Sequence, residues 1–290
     1  MISPTFKFGA IFGSGNISRT REIVMSKRDP KELSQIPPSF IVMDLTWRCN
    51  YHCNCCIDGN VVNKNPRNLE VELIEDIFDY SKKHRVRGIM TMGGEVFLYS
   101  KGMQKTLEKS IEYEIPLKTV SNGSCLKDYL SLILEAYKIP GSMLRISINS
   151  DKEHYKEQTK GNFDLEKILE SIKVITSQGT SVYVSTVVFP ESSRKDGTIP
   201  NIQSLQEIIK YCEEAGVKTQ ILIPARNPLT RKRYSRTDEE REIMRDITRK
   251  KNSRGYKLEL RIDEFTERKF PCAQNLNFNF CCQSGFLFTL

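Results

Sequence analysis

The chain has 290 residues, of which 39% are hydrophobic, and it carries a formal net charge of +8 at pH 7. This length and apolar content support one large domain, with or without a small appendage, and exclude a low-complexity or disordered chain. No run is long enough to span a bilayer and no secretory signal is evident, so we interpret the nine cysteines as cytosolic thiols suited to metal ligation.

The first predicted strand leads into a cysteine-rich stretch. Residues 1–36 read as an N-terminal extension, and the apolar run 40–46 predicts a buried strand. Directly after it, Cys49, Cys53 and Cys56 fall in C-x3-C-x2-C register. Three thiols on one loop favour a metal site with an open coordination position, because a structural zinc ion takes four ligands. A zinc-bound or buried cysteine knuckle is the alternative.

Predicted helices and strands then alternate along the chain. Apolar residues at helical spacing predict helices at 69–84, 103–113, 127–137, 163–177 and 202–215. Strand patterns lie between them at 87–92, 116–120, 143–149, 181–189 and 217–224. This alternation predicts parallel strands joined by crossover helices, and no early G-x-G-x-x-G turn supports a dinucleotide-binding fold. We therefore expect an α/β fold, a partial (β/α)6 TIM-like barrel, over residues 37–235.

Short polar motifs follow the carboxyl ends of the second, third and fourth predicted strands. In a barrel these ends share one rim with the cysteine loop, which is where chemistry gathers. A glycine pair lets the backbone approach a ligand closely, a carboxylate can pair with an ammonium, and short amide and hydroxyl side chains suit ribose hydroxyls. Together they suit S-adenosylmethionine (SAM). The residues are Gly93, Gly94 and Glu95, then Asn122, then Ser147 and Asn149.

On these motifs the sequence resembles the radical SAM enzymes, over roughly residues 40–224. The resemblance implies that Cys49, Cys53 and Cys56 ligate a [4Fe–4S] cluster whose remaining iron binds SAM. It also implies that one-electron reduction splits the sulfonium into methionine and a 5′-deoxyadenosyl radical, which abstracts hydrogen from a substrate.

The resemblance also implies contacts to SAM. The methionine end would meet Gly93, Gly94 and Glu95, the ribose would meet Ser147 and Asn149, with Asn122 nearby, and the adenine would lie near Tyr51 or His52 and Cys55. Two positions depart from the family pattern. Val96 stands where many relatives have proline, and Asn149 stands where an aspartate is frequent, which would make its hydrogen bond neutral.

The chain beyond the predicted barrel forms a C-terminal α+β appendage, residues 236–290, with a charged helix at 237–250 and a strand at 256–262. Its tail contains Cys272, Cys281 and Cys282, which resemble the start of an auxiliary-cluster extension of the SPASM or twitch type. Because the pattern is short or incomplete, we expect a structural hairpin there rather than a second cluster.

Three functions are compatible with the residues. The first is a cytoplasmic radical SAM enzyme that acts on a peptide or small metabolite and takes electrons from a flavodoxin- or ferredoxin-like donor. The second is RNA modification on the same scaffold, motivated by the basic segment 226–254, although no nucleic-acid motif accompanies it. The third is a zinc-binding interaction module. Arg145, Gln220 and Arg226 are candidates for substrate contact.

Overall fold

Seven parallel strands, hydrogen-bonded in sequence order, form the centre of the molecule. The computed structural model describes residues 38, 40–56, 58–59, 61–227 and 233–262, and the backbone of residues 281–283 and 286–288. The strands are β1 (Ile41–Thr46), β2 (Ile89–Gly93), β3 (Leu117–Ser121), β4 (Met143–Ser147), β5 (Val182–Val188), β6 (Thr219–Pro224) and β7 (Glu259–Ile262).

Helices connect the strands, as expected for a parallel sheet. They are α1 (Val71–Lys83), α2 (Ser100–Tyr113), α3 (Leu130–Ala136), α4 (Tyr155–Thr159), α5 (Leu165–Ser177), α6 (Leu205–Glu214) and α7 (Asp238–Asn252), with 3-10 turns at Val96–Leu98, Leu126–Tyr129 and Glu191–Asp196. Each long helix buries one stripe at helical spacing; in α5 this stripe is Leu165, Ile168, Ile172 and Ile175.

The predicted α/β architecture is confirmed, and the sheet is open, with β1 and β7 at its edges. The strand predicted at 256–262 within the C-terminal appendage instead extends this sheet, because β7 pairs in parallel with β6 and α7 is the crossover between them. The sheet therefore has seven strands, one more than the predicted six.

Two further expectations concern the ends of the chain. Residues 281–283 and 286–288 pair as an antiparallel hairpin, β8 and β9. Residues 1–36 and Cys272 lie outside the described residues, and the domain boundaries at 37 and 235 stay predictions. Among the described helices none is long and apolar enough to cross a bilayer.

The two faces of the sheet differ in chemistry. On β4, Leu144 and Ile146 are fully buried against the helices, on what we call the outer face. Arg145 and Ser147 alternate with them and lie on the inner face, because successive side chains of a strand point to opposite sides. Val120 of β3 lies beside Arg145 in register and shares the inner face.

Candidate functional site

The cysteine loop, residues 47–56, begins where β1 ends and presents three partly buried thiols, Cys49, Cys53 and Cys56. The loop turns tightly, since the Cys56 N–H donates to the Cys53 carbonyl at 3.1 Å. The Cys49 sulfur accepts from the Tyr51 N–H at 3.4 Å and lies 3.9 Å from the Asn122 amide nitrogen. Such donors orient a ligating sulfur and stabilise its thiolate.

Asn63 holds the backbone of Cys49 from both sides. Its side-chain oxygen accepts from the Cys49 N–H at 2.8 Å, and its amide nitrogen donates to the Cys49 carbonyl at 2.8 Å. Asn63 has a φ of 63°, in the left-handed region that asparagine tolerates better than most residues. Sequence reasoning did not identify Asn63, because its role depends on the return of the chain to the cysteine loop.

The three predicted adenine contacts occupy different environments. Tyr51 is only 4% exposed, and its ring packs on Tyr155 and Phe163 with centroid distances of 6.2 Å to each, so it anchors the loop in the core. The His52 side chain is exposed, while its N–H donates to the Thr159 carbonyl at 2.9 Å. The Cys55 side chain is partly buried.

Burial favours the protonated form of the three thiols that fit the family spacing, Cys49, Cys53 and Cys56. Burial raises the pKa of Cys49 and of Cys56 to about 11. The pKa of Cys53 is raised by its hydrogen bond with Cys55 and by burial. Because a metal binds thiolates, ligation by these residues would release protons.

The Gly-Gly-Glu turn packs directly on the chain that leads into the cysteine loop. The Gly94 N–H donates to the Thr46 carbonyl and the Glu95 N–H to the Arg48 carbonyl, each at 2.7 Å. A Cβ on Gly93 would lie 2.2 Å from the Thr46 oxygen, and one on Gly94 would lie 2.0 Å from the Arg48 oxygen. These two amides are therefore used inside the protein.

Glu95 joins the turn to the next strand. Its fully buried carboxylate accepts hydrogen bonds from the Phe97 N–H at 3.1 Å, the Ser121 hydroxyl at 2.8 Å and the Asn122 N–H at 2.6 Å. Burial raises the pKa of Glu95 to about 7, although these three hydrogen bonds act in the opposite direction. Three protein donors already contact the carboxylate. The expected pairing of Glu95 with an ammonium group of a ligand stays a prediction.

The raised pKa of Glu95 predicts a pH-dependent stability. The folded state keeps the proton to a higher pH than the unfolded chain, whose carboxyl has a pKa near 4.5. The stabilisation is therefore complete below pH 4.5 and is lost as pH rises through about 7. The total loss in the free energy of unfolding is at most about 3 kcal/mol. In urea titrations of the metal-free protein, Glu95→Gln should become more stable relative to wild type as pH rises. A stability difference that does not change between pH 4.5 and 8 would contradict the assignment.

An inner cavity of about 200 Å³ opens beside this turn, at the carboxyl edge of the sheet. Four of the predicted SAM contacts line it: Gly93, Gly94, Asn122 and Ser147. Asn122 also connects the cavity to the cysteine loop, because its amide donates to the Asn50 side-chain oxygen at 2.9 Å. The remaining lining residues are Ser121, which precedes Asn122 in the motif after the third strand, and Asp58, Met92 and Val120, which the sequence motifs did not identify.

Asn149 is used within the sheet scaffold. Its side-chain oxygen accepts from the Val187 N–H at 2.8 Å, and its carbonyl accepts from the Asn201 amide at 2.8 Å. Asn149 therefore joins the end of β4 to β5, and it does not line the inner cavity. Its predicted contact with a ribose stays untested.

Arg145 is a partly buried cation to which no described residue supplies a counter-charge. Its Nε is buried and has no hydrogen-bond partner among the described residues, and burial lowers the pKa of the guanidinium. It lies on the inner face two residues before Ser147, and its neighbour Val120 lines the inner cavity. Gln220, by contrast, lies on the outer face and donates to the Thr186 hydroxyl at 2.9 Å, so the structure does not bring it to this cavity.

The donor set fits a cluster better than a single ion. Among the described residues, no three Cys, His, Asp or Glu side chains converge as ligands of one metal ion. In an iron–sulfur cluster each thiolate binds its own iron, so three thiols spread along one loop are suitable. The inner cavity beside them supplies space and polar groups for a ligand on an iron that lacks a cysteine.

Comparisons with known proteins agree with this geometry. The family model described as "Radical SAM superfamily" matches residues 43–199, more than half of the chain. Comparison with curated protein sequences gave no match.

Several solved structures share the fold. SuiB of Streptococcus suis, bound to SAM, aligns with a TM-score of 0.62 and 16% identity over 86% of this chain and 55% of its own. The enzyme anSMEcpe with bound SAM aligns at 0.56 and 16% identity, over 76% of this chain and 62% of its own. TYW1 with a lysine–pyruvate adduct aligns with a TM-score of 0.52 and 15% identity, over 94% of this chain and 88% of its own. The chain thus spans only about half the length of SuiB, and identities this low show a shared fold alone.

Proposed function

Since the chain belongs to the radical SAM superfamily, whose members are enzymes that use a [4Fe–4S] cluster and SAM, we propose that its inner cavity is the SAM site. Cys49, Cys53 and Cys56 would hold the cluster. When bound and reduced, the cluster and SAM supply a 5′-deoxyadenosyl radical that abstracts hydrogen from the substrate. The zinc-module alternative is not favoured by this family membership.

One observation supports the proposal most directly, namely the position of Asn122. This residue lines the inner cavity, and its amide nitrogen lies 3.9 Å from the Cys49 sulfur. A ligand in the cavity would therefore be adjacent to the first thiol of the loop. Asn122 is in turn fixed by the Glu95 carboxylate, which accepts its N–H at 2.6 Å.

The residues of the chain would orient SAM and shield it from water. Gly93 and Gly94 place backbone at the cavity wall, and their lack of a Cβ lets this turn pack closely against Thr46 and Arg48. Ser147 and Asn122 offer short hydrogen-bonding side chains of the kind that hold hydroxyl or carboxylate oxygens. The buried ring of Tyr51 keeps the backbone of the loop in place.

We assign to Arg145 the role of pairing with the SAM carboxylate. Its guanidinium lies on the inner face with a buried Nε that no described residue contacts by a hydrogen bond, which is unfavourable unless an anion joins it. The carboxylate of SAM supplies that anion and matches the planar fork of arginine.

Arg145→Met should weaken SAM binding while stabilising the metal-free protein. Loss of one charge-assisted pair should raise the Kd for SAM by ten- to a hundredfold. Methionine removes a buried unpaired charge, so the thermal midpoint without SAM should stay equal or rise. Equilibrium dialysis with labelled SAM on the reconstituted protein, together with thermal unfolding, measures both.

Lys118→Met is the matched control. Lys118 lies on the same inner face of β3, but at the amino end of the sheet, in register with Met143. It should leave SAM affinity unchanged. Equal losses of affinity in the Arg145 and Lys118 variants would mean that general charge, and not a specific pair, attracts SAM.

The reaction itself is tested by anaerobic reconstitution with iron and sulfide, followed by SAM and a strong reductant. We expect 5′-deoxyadenosine and methionine in equal amounts. A protein with a complete cluster that forms no 5′-deoxyadenosine would refute the proposed activity.

The substrate class we propose is a peptide or small metabolite, with a flavodoxin- or ferredoxin-like protein as electron donor and a cytoplasmic location. Support for a peptide comes from the fold relative SuiB, which has been solved bound to its precursor peptide SuiA. RNA modification remains the second candidate, because arginines concentrate near the carboxyl ends of the last strands of the sheet.

A further inference from the structure

A second, larger cavity lies on the outer face of the sheet, where α7 covers the carboxyl ends of β5, β6 and β7. Its volume is about 800 Å³. Val188, Leu222 and Ile262 from the three strands and Met244 from α7 form an apolar floor. Five arginines surround this floor, and no acidic residue is among the described lining: Arg233, Arg236, Arg241, Arg245 and Arg249. We call it the arginine cavity.

Three of these arginines form one stripe along α7 and are held only by weak partners. Each pairs with an acidic side chain of its own helix at the surface. Exposed pairs of this kind contribute little, so an incoming anion can recruit the guanidiniums at small cost. The pairs are Arg241 with Asp238, Arg245 with Glu242, and Arg249 with Glu242 and Asp246.

Arg236 has no such partner. It is half-buried, and its guanidinium makes no hydrogen bond or salt bridge with a described residue. Burial lowers its pKa, with attraction from Glu240 and repulsion from Arg233 as smaller effects. A half-buried cation beside a second cation indicates a place where negative charge is missing.

The helix that carries three of these arginines is fixed in position. A capping box starts α7, in which the Thr237 hydroxyl accepts from the Glu240 N–H and the Glu240 carboxylate accepts from the Thr237 N–H at 2.8 Å. The same buried carboxylate accepts from the Glu191 N–H at 2.6 Å, which ties α7 to the segment after β5. The backbone beneath the stripe is therefore pre-organised, so that binding a ligand needs to order only side chains.

The chemistry of the cavity distinguishes among anionic ligands. Its volume lies in the range of pockets that enclose a drug-sized ligand or a few amino-acid side chains. Tyr234 is the one aromatic residue in the described lining, whereas sites for single-stranded nucleic acid stack successive bases on aromatic rings. An apolar floor with a ring of guanidiniums matches carboxylates that flank an apolar side chain.

We propose that the arginine cavity binds an acidic peptide segment, with an apolar side chain on the floor formed by Val188, Leu222 and Ile262 and carboxylates on the arginines. This site lies on the opposite face of the sheet from the inner cavity. It would therefore hold a part of a peptide partner that is distant from the reacting atoms. Binding here does not depend on SAM cleavage, although its use in substrate selection rests on the proposed function.

One segment links the arginine cavity to the cysteine loop. Pro190 lines the cavity and precedes the 3-10 turn Glu191–Asp196. At the end of that turn, the Gly197 carbonyl accepts a hydrogen bond from the Asn54 side chain of the cysteine loop. A peptide bound in the cavity thus docks against the segment that supports the cysteine loop, on the side away from the inner cavity.

The test is fluorescence anisotropy with a short labelled peptide of alternating glutamate and leucine, using the reconstituted full chain without oxygen. We expect saturable binding that weakens as salt is added. Arg236→Gln and Arg249→Gln should each raise the Kd on the order of tenfold, the effect of one lost charged hydrogen bond. Arg249 is exposed, so its variant should fold normally, which circular dichroism checks.

Arg261→Gln is the matched control. Arg261 immediately precedes Ile262 on β7, does not line the cavity, and is paired with Glu259. The Arg261→Gln substitution removes one positive charge, as the test substitutions do, but from the opposite face of the strand. The peptide should bind this variant as it binds wild type, and a peptide with lysine in place of glutamate should not bind.

Four outcomes would overturn the proposal. The first is no binding by wild type; if binding then appears only after Asp263, Glu264 and Glu267 are changed to their amides, the chain's own acidic segment is the occupant. The others are equal weakening in the Arg261 and Arg236 variants, a glutamate–serine peptide that binds as well as the glutamate–leucine peptide, and a polyuridine RNA that displaces the labelled peptide more strongly than unlabelled glutamate–leucine peptide does. Formation of 5′-deoxyadenosine is measured on the same samples, so that loss of SAM chemistry and loss of peptide binding are scored separately.

Discussion

Cys49→Ala should take up no stable [4Fe–4S] cluster on anaerobic reconstitution and should form no detectable 5′-deoxyadenosine. The Cys49 sulfur lies 3.9 Å from the amide of Asn122, which lines the inner cavity, and it accepts hydrogen bonds that stabilise a thiolate. Loss of a residue that merely orients a metal ligand lowers metal affinity by ten- to a hundredfold, and loss of the ligand itself should exceed that. Chemical iron and sulfide analysis, visible absorbance and product chromatography measure the outcome.

Cys55→Ala is the matched control in the same loop. Both Cys49 and Cys55 are partly buried, but only Cys49, Cys53 and Cys56 fit the family spacing. The Cys55 variant should keep its iron content and show at most a change in SAM affinity. If it loses iron while Cys56→Ala retains it, the third ligand has been assigned to the wrong thiol.

Gly94→Ala should produce a large loss of stability. Its Cβ would lie 2.0 Å from the Arg48 carbonyl oxygen, a backbone atom that a side-chain rotation cannot move. This steric overlap is removed only if the turn separates from the chain leading into the cysteine loop. That separation breaks the hydrogen bonds from Gly94 to Thr46 and from Glu95 to Arg48. We expect a loss of about 3 kcal/mol or more in the free energy of unfolding, measured in urea.

Gly179→Ala separates steric overlap from backbone strain. Gly179 has a φ of 83°, but a Cβ there would meet no atom within 4 Å. Its substitution should cost only the strain of a left-handed residue, roughly 1–2 kcal/mol. It should not change iron content, whereas Gly94→Ala should lower it, because the cysteine loop shifts. Equal losses of stability in both variants would contradict the steric explanation.

The elements that carry the site were predictable because their signals are local. Apolar residues recur at short intervals along each helix and strand, and the cysteine and glycine motifs lie within a few residues of one another. The order of these motifs along an alternating chain was sufficient to place Gly93, Gly94, Asn122 and Ser147 near one another, and all four line the inner cavity.

Other features depend on contacts between distant parts of the chain, and no local pattern reports them. The Asn63 side chain forms hydrogen bonds with the backbone of Cys49 from across a loop. The Glu95 carboxylate accepts hydrogen bonds from the end of β3 as well as from its own turn. Strand β7 was predicted as a strand but assigned to an appendage, since strand pairing between β6 and β7 is not encoded in either segment alone.

The sequence by itself determined the α/β class, the cysteine loop and the membership in a superfamily that cleaves SAM. The tertiary structure decided which groups are free to act. It buried Glu95 among protein donors, placed Arg145 beside the inner cavity with no counter-charge from a described residue, and gathered five arginines around an apolar floor. The reason is that spacing specifies which side chains are present, whereas burial and partners depend on the packing of the whole chain.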